Sequence, residues 1–379
     1  MRHFVRLVCI LALGAALFGG CSETPSSGDN WEPLDYESNP HSVKYDFSAV
    51  DTAAESFVAS SSGIPGLTLA VVRKDEGQIY EKGYGEFERD RIILVASAGK
   101  VLAAGVIVAL VDDGLLELDR PVAEYLDWGD HHPGVTIENL LSMMSGIRGW
   151  PAPNHPCVHD PTTTVQECGR TVFQDESESV PPGDEYRYSG SAWQLAGAVA
   201  EVVSGKSWAT LADEKLVQPC GLPNTGFLST NSQLAYPAAF DGDPANWPTS
   251  DNPEIGGGAH ITVNDYSKVL LMHLYGGLCG EERVLSPEMV QHMQKALTPD
   301  GVTFPVWTFP PAVSYGLGWF RSEDDPELLV DFGAWGAKAV LHLEEGWAAI
   351  LLLENNFVTG NIMFMELVPL IREAILEAE

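Results

Sequence analysis

Ser97 and Lys100 stand three residues apart in the segment VASAGK, residues 95–100, a spacing that puts both side chains on one face of a helix. A serine hydroxyl is a poor nucleophile at neutral pH and must lose its proton to a nearby base as it attacks. A lysine can be that base if burial and neighbouring charge lower its hold on the proton, and a helix N-terminus favours the developing alkoxide. The chemistry implied is hydrolysis of an ester or amide through a covalent acyl-enzyme. As a bare pattern S-x-x-K is weak, since about one chance match is expected in a chain with this much Ser and Lys. A capping serine beside a solvated lysine explains the pair equally well, so the surrounding elements have to decide.

Ile92–Ala96 reads as a strand leading straight into Ser97. From Ser97 to Asp113, Val101, Ala104, Ile107, Leu110 and Val111 recur at helical spacing, with Gly114 at the stop. Upstream, Ser48 caps a helix to about Ala59, and Leu67–Arg73 and Gln78–Tyr84 form an antiparallel hairpin. Further helices are expected at Ile137–Ser145 (Thr136 cap, Gly146 stop), Ser191–Val203, Asn264–Tyr275 and Pro287–Lys295. Strands return at Tyr315–Arg321, Leu328–Phe332, Ala337–Leu343 and Trp347–Glu354, and a closing helix runs from Ile362. Strands at both ends with helices between imply an α+β fold. Residues 46–96 and 312–379 build an antiparallel sheet domain with flanking helices, residues 97–311 form an inserted, mainly helical domain, and the active site lies between them.

The beginning of the chain reads as export machinery. Arg2 and Arg6 precede an apolar run, Leu7–Phe18, that is too short to span a bilayer, and Gly19-Gly20-Cys21 resembles a bacterial lipobox. Residues 1–20 are expected to be a signal peptide, Cys21 a lipidated first residue, and residues 21–45 a polar tether at the cell envelope. Loss of Arg2 and Arg6 takes the formal charge from −32 to −34, a surface that repels phosphate backbones and excludes nucleic acid as a partner. Cys157, Cys168, Cys220 and Cys279 remain, an even number that suggests two disulfides. Short spacing favours Cys157 with Cys168, leaving Cys220 with Cys279, although four cysteines permit three pairings. His155 and His159 beside Cys157 match no zinc spacing, so no metal site is expected.

Over nearly all of the mature chain the sequence resembles the serine β-lactamase and penicillin-binding-protein superfamily, in the branch similar to class C β-lactamases and their esterase and peptidase relatives. The segments that carry the resemblance are Ile64-Pro65-Gly66, VASAGK, Leu110–Leu126, Val135–Ile147, Pro182–Gly197, Gly256–Leu270, YGLGW at Tyr315–Trp319 and FGAWG at Phe332–Gly336, in that order. The resemblance implies the β-lactamase/transpeptidase-like fold. It gives Tyr188, first residue of the Tyr-x-Asn motif, the exchange of protons with nucleophile and leaving group, work that suits a tyrosine near ammonium groups. Gly190 stands where many relatives have an asparagine whose amide holds a substrate carbonyl. The third motif aligns with Ala334-Trp335-Gly336 and has no cation at its first position. The resemblance makes Trp335 and Gly336 substrate-binding, Gly336 letting the substrate lie along the strand, and pairs the N–H groups of Ser97 and Ala337 as an oxyanion hole. Lys338 reads as a structural or solvated lysine.

Other hydrolytic arrangements are missing: there is no G-x-S-x-G elbow and no H-E-x-x-H. His260 is a loop histidine, and Trp150 and Trp193 read as core or cleft wall. The reading is therefore a cofactor-independent serine hydrolase of small-molecule or peptide esters or amides. Carboxylesterase or amidase ranks first, D-amino-acid peptidase second and β-lactamase third, because Gly190 and Ala334 lack groups that would hold a β-lactam. The competing class is a non-catalytic envelope protein that keeps the fold for binding.

Overall fold

The computed structural model describes residues 43–378 except 61–62, 230–241, 248, 306–307 and 309–310; Cys21 and the leader lie outside the described residues. The α-helices of five or more residues are α1 (Ser48–Ser60), α2 (Lys100–Asp112), α3 (Ile137–Leu141), α4 (Val165–Gln174), α5 (Gly190–Ser204), α6 (Trp208–Ala212), α7 (Val263–Leu274), α8 (Pro287–Gln294) and α9 (Phe357–Leu376). Strands are β1 (Gly66–Arg73), β2 (Gly77–Gly85), β3 (Ile93–Leu94), β4 (Gly226–Phe227), β5 (Ala259–Ile261), β6 (Leu278–Cys279), β7 (Glu282–Arg283), β8 (Ala312–Tyr315), β9 (Phe320–Ser322), β10 (Leu328–Phe332), β11 (Lys338–His342) and β12 (Trp347–Leu353).

The main sheet has the order β2-β1-β12-β11-β10-β9-β8 and is antiparallel. Strands from both ends of the chain meet where β1 pairs with β12, Leu67 opposite Leu353 and Arg73 opposite Trp347, as the strand pattern predicts. β11 and β12 are buried at every position, because helices cover both faces of the sheet. α1 and α9 pack on each other and on the sheet, and α7 packs on β1 and β12. α2 is buried from Lys100 to Leu110, as a helix apolar on all sides must be; Lys100 is the one charged group in that run.

Several boundaries differ from expectation, each for a local reason. The strand before Ser97 is only β3, which pairs with β5 in a separate three-stranded sheet. α2 starts at Lys100, and Ser97 sits in the preceding 3₁₀ turn Ala96–Gly99. The segment Tyr315–Arg321 is a tight hairpin: Gly318 has φ +97°, and Tyr315 faces Phe320 across β8 and β9. α3 stops at Leu141, and Met143 takes a positive φ. The closing helix begins at Phe357, five residues early, because the Asn356 side chain accepts from the Thr359 N–H. α4 was missed by apolar periodicity, yet Thr164 and Glu167 form a capping box at its start.

Candidate active site

The turn that presents Ser97 is fixed from three sides. Val95 N–H donates to the Ala259 carbonyl at 3.0 Å, and Tyr266 Oη donates to the Ala98 carbonyl at 2.7 Å. A Cβ on Gly99 would come within 2.5 Å of the Ala259 Cβ, and one on Gly333 within 1.9 Å of the Val95 carbonyl oxygen. Both glycines are therefore needed for close approach. Between these clamps Ala96 is held at φ +48°, a left-handed conformation that costs a side-chain-bearing residue about 1 kcal/mol. The reversal leaves Ser97 half-buried while Ala96, Ala98 and Gly99 are buried, which exposes the one hydroxyl of the turn.

Lys100, 3 % exposed, reaches back along α2 to that hydroxyl. Its Nζ is 3.0 Å from Ser97 Oγ and 2.5 Å from the Gly256 carbonyl oxygen. The Tyr188 ring centre lies 4.8 Å from Nζ and the Trp193 ring centre 5.8 Å away. A Cβ on Gly256 would stand 3.0 Å from the Trp193 Cβ and 3.4 Å from Lys100 Cε, so the glycine lets this carbonyl approach. As an ammonium the nitrogen is solvated by one carbonyl and two aromatic faces; as a free amine its lone pair is within reach of the serine proton.

Buried acids surround this cation, and sequence reasoning missed them. Asp331, on β10 and 1 % exposed, is pushed up to about 8 by burial, against the pull of Lys100 and of the Phe332 N–H that its Oδ1 accepts. Glu254 is pushed up to about 7 by burial, again opposed by Lys100, and its carboxylate lies 3.8 Å from His159. An acid inside the apolar run LLVDF is itself a signal, because Asp is almost never fully buried unless it is paired. Glu254 carries no such mark. Lys338 is fully buried, not solvated: its Nζ lies 4.4 and 4.5 Å from the ring centres of Phe332 and Phe357 and 5.9 Å from that of Phe364. It turns toward α9, and burial lowers it to about 7 with Asp331 opposing.

Tyr188 stacks on Phe320 at 6.3 Å and 20°, which holds its ring over Lys100. Gly190 opens α5, and its N–H donates to Asn154 Oδ1 at 2.9 Å. The turn Gly333–Ala337, closed by the Gly333 N–H on the Ala337 carbonyl at 2.9 Å, packs on the Ser97 turn through Gly333, where a Cβ would meet the Val95 carbonyl oxygen at 1.9 Å and the Ala98 nitrogen at 3.5 Å. Within it Ala334 is exposed and Trp335 half-buried. Gly336 has a packing reason: its φ is +104°, and a Cβ there would meet Leu353 at 2.7 Å and the Asn356 carbonyl at 3.2 Å. His260 lies in β5 with Nδ1 3.1 Å from the Asn224 carbonyl, and burial lowers it to about 4; its ring packs on Gly226. Trp193 is buried and Trp150 exposed. No cluster of three metal-binding side chains occurs among the described residues. Cys157–Cys168 and Cys220–Cys279 are bonded, the pairing that spacing favoured.

The family pattern described as Beta-lactamase matches residues 50–359. Penicillin-binding protein 4 of Amycolatopsis lactamdurans is 26% identical over 335 residues, covering 80% of this chain and 84% of that protein. A structure described as a putative beta-lactamase from Bacteroides dorei superposes with a TM-score of 0.69 at 28% identity, over 88% of this chain and 98% of the other. Esterase EstB of Burkholderia gladioli is 28% identical over 210 residues, covering 49% of this chain and 53% of the esterase. Several other curated relatives are likewise matched over less than two thirds of their own length.

Proposed function

The chain belongs to the Beta-lactamase family, and on that footing we propose that it hydrolyses an ester or amide through an acyl-enzyme on Ser97. The observation that carries the reading is the 3.0 Å approach of the buried Lys100 Nζ to Ser97 Oγ beneath the Tyr188 ring. A capping serine beside a solvated lysine would have neither the burial nor the contact. In the proposed sequence Lys100 takes the serine proton as Oγ adds to the carbonyl carbon. The N–H groups of Ser97 and Ala337 receive the oxyanion, and as the tetrahedral adduct collapses Tyr188 gives its proton to the leaving group and regains one from Lys100, which returns the lysine to the free amine. Water then repeats the addition on the acyl-enzyme and releases the acid. No step calls on a cofactor.

Among substrates the reading ranks carboxylic esters and amides first and D-amino-acid peptides second. β-Lactams rank last, since Ala334 offers no cation for a carboxylate. The two disulfides suit an oxidising compartment, which supports export and anchoring through Cys21 at the cell envelope; radiolabelled palmitate uptake that survives Cys21→Ala would sink the anchor. The catalytic reading is tested with a fluorophosphonate probe and peptide mapping. The adduct is expected on Ser97 and absent from Ser97→Ala. A folded protein that takes no adduct would instead be the binding module.

A further inference from the structure

Resting on that reading, we infer that Asn154 supplies the carboxamide donor that Gly190 lacks, and that the acyl site is built for substrates carrying a second carbonyl on the acyl side, as an N-acylated amino acid does. The loop 148–155 is laced to the Tyr188 segment almost residue by residue. Ser189 Oγ donates to the Arg148 carbonyl at 2.5 Å, Trp150 N–H to the Tyr188 carbonyl at 2.8 Å, Gly190 N–H to Asn154 Oδ1 at 2.9 Å and His155 N–H to Ser191 Oγ at 2.8 Å. A Cβ on Gly149 would come within 2.5 Å of the Ser189 Cβ and 2.7 Å of the Tyr188 carbonyl oxygen. The loop is therefore seated against backbone, and Asn154 is positioned by the same segment that positions Tyr188.

The orientation of the amide follows from its partner. Gly190 N–H can only donate, so the atom it meets is the carbonyl oxygen of Asn154, and the other atom is the NH2 group with two protons to give. That nitrogen stands 2.6 Å from where a Cβ of residue 190 would be, with Cγ at 3.2 Å. The carboxamide thus occupies the space in which a side chain at 190 would begin. Trp193, three residues on in α5, shares that helix face, and its ring faces Lys100 Nζ at 5.8 Å. The face that holds the Asn154 amide is the face turned to the catalytic lysine. Asn154 is half-buried, so the donor is preorganised without being sealed from substrate. A glycine at 190 is then no loss of function: it makes room for an amide delivered from another loop.

The test compares phenyl N-acetylglycinate with phenyl valerate, acyl groups of equal chain length that differ in the amide. Asn154→Asp keeps an oxygen for the Gly190 N–H but removes the donor. It is expected to lower the kcat/KM ratio of the first ester to the second by about fivefold or more, the usual worth of a lost donor in a site built to hydrogen-bond its substrate. Asn154→Gly should lower the ratio likewise, and Asn154→Gly with Gly190→Asn should raise it again by restoring the amide from residue 190. An unchanged ratio in Asn154→Asp, with both esters falling together, overturns the inference while leaving the hydrolase reading intact, as does a double variant whose ratio equals that of Asn154→Gly. A chain that hydrolyses neither ester and takes no phosphonate on Ser97 overturns the reading and the inference together.

Discussion

Asp331, buried on β10, and Lys100, buried on α2, act on each other: the lysine charge pulls the Asp331 carboxyl down while burial pushes it up, and Asp331 Oδ1 accepts the Phe332 N–H at 2.8 Å. This electrostatic coupling links β10 to the helix that carries the proposed base. It also makes stability depend on pH. Burial raises Asp331 from 3.8 to about 8, so between those values the folded chain holds a proton that the unfolded chain has released. Stability from this group is complete below about pH 4 and is lost as pH rises through 8. Asp331→Asn should remove that dependence. The wild-type stability relative to the variant is expected to fall between pH 5 and 8, with a slope of at most about 1.4 kcal/mol per unit. Urea denaturation at several pH values measures it, and a difference that stays flat across the window would count against the assignment.

Lys338 has the opposite sign. Burial lowers it to about 7 from 10.5, so above pH 7 the unfolded chain binds the extra proton and stability rises with pH up to about 10.5. Lys338→Met keeps the apolar stem among Phe332, Phe357 and Phe364 and removes the cost of burying an ammonium. At pH 6 the variant should be the more stable by about 1–3 kcal/mol, an advantage that shrinks toward pH 10. Thermal melts at pH 6 and pH 9.5 check both the sign and the trend.

Gly333→Ala tests how the nucleophile turn is held. The added methyl would meet the Val95 carbonyl oxygen at 1.9 Å, a backbone atom that moves only if the Ala96 reversal moves. A loss of about 1–3 kcal/mol is expected, the range for overpacking a closed site, together with a fall in Ser97 labelling at temperatures where the chain is still folded. Labelling at the wild-type rate in a destabilised variant would mean that the contact supports the fold but not the turn.

The disulfides should contribute unequally. Cys157–Cys168 closes a separation of 11 residues and Cys220–Cys279 one of 59. Closing the longer loop restricts the unfolded chain more, by about 1.5 kcal/mol on the chain-entropy account. Cys220→Ala with Cys279→Ala is therefore expected to lower the melting temperature more than Cys157→Ala with Cys168→Ala. The reverse order would show that the shorter bridge acts mainly through the folded loop it staples.

What the sequence made legible follows from the range over which each signal acts. Period-two and helical patterns are local, and they located the sheet strands from both ends and the helices that cover them. They failed where backbone geometry turns on a distant contact. Ala96 takes its positive φ because Ala259 and Gly333 close around it, and nothing in VASAGK marks that. The YGLGW segment reads as β-rich, yet Gly318 lies against Val101 and folds it into a hairpin. At the site, Ser97, Lys100 and Tyr188 came from motif spacing and resemblance. Asp331, Glu254 and Asn154 act through tertiary placement, so only the structure associates them with Lys100 and Gly190.

The division of labour between Lys100 and Tyr188 is open to kinetics. Tyr188→Phe keeps the ring on Phe320 and over the Lys100 Nζ and removes only the hydroxyl, so folding should be unaffected. If Tyr188 passes the proton to the leaving group, the variant should lose about 10²–10³ in kcat/KM on an alkyl ester, whose alkoxide needs the proton. On a nitrophenyl ester, whose leaving group departs as the anion, the loss should be far smaller. Lys100→Ala should lose activity on both esters alike, because the serine must be deprotonated whichever group leaves. A Tyr188→Phe variant equally impaired on the two esters would move the tyrosine from leaving-group acid to activator of Ser97. A Lys100→Ala variant with wild-type turnover of either would remove the lysine from the mechanism altogether.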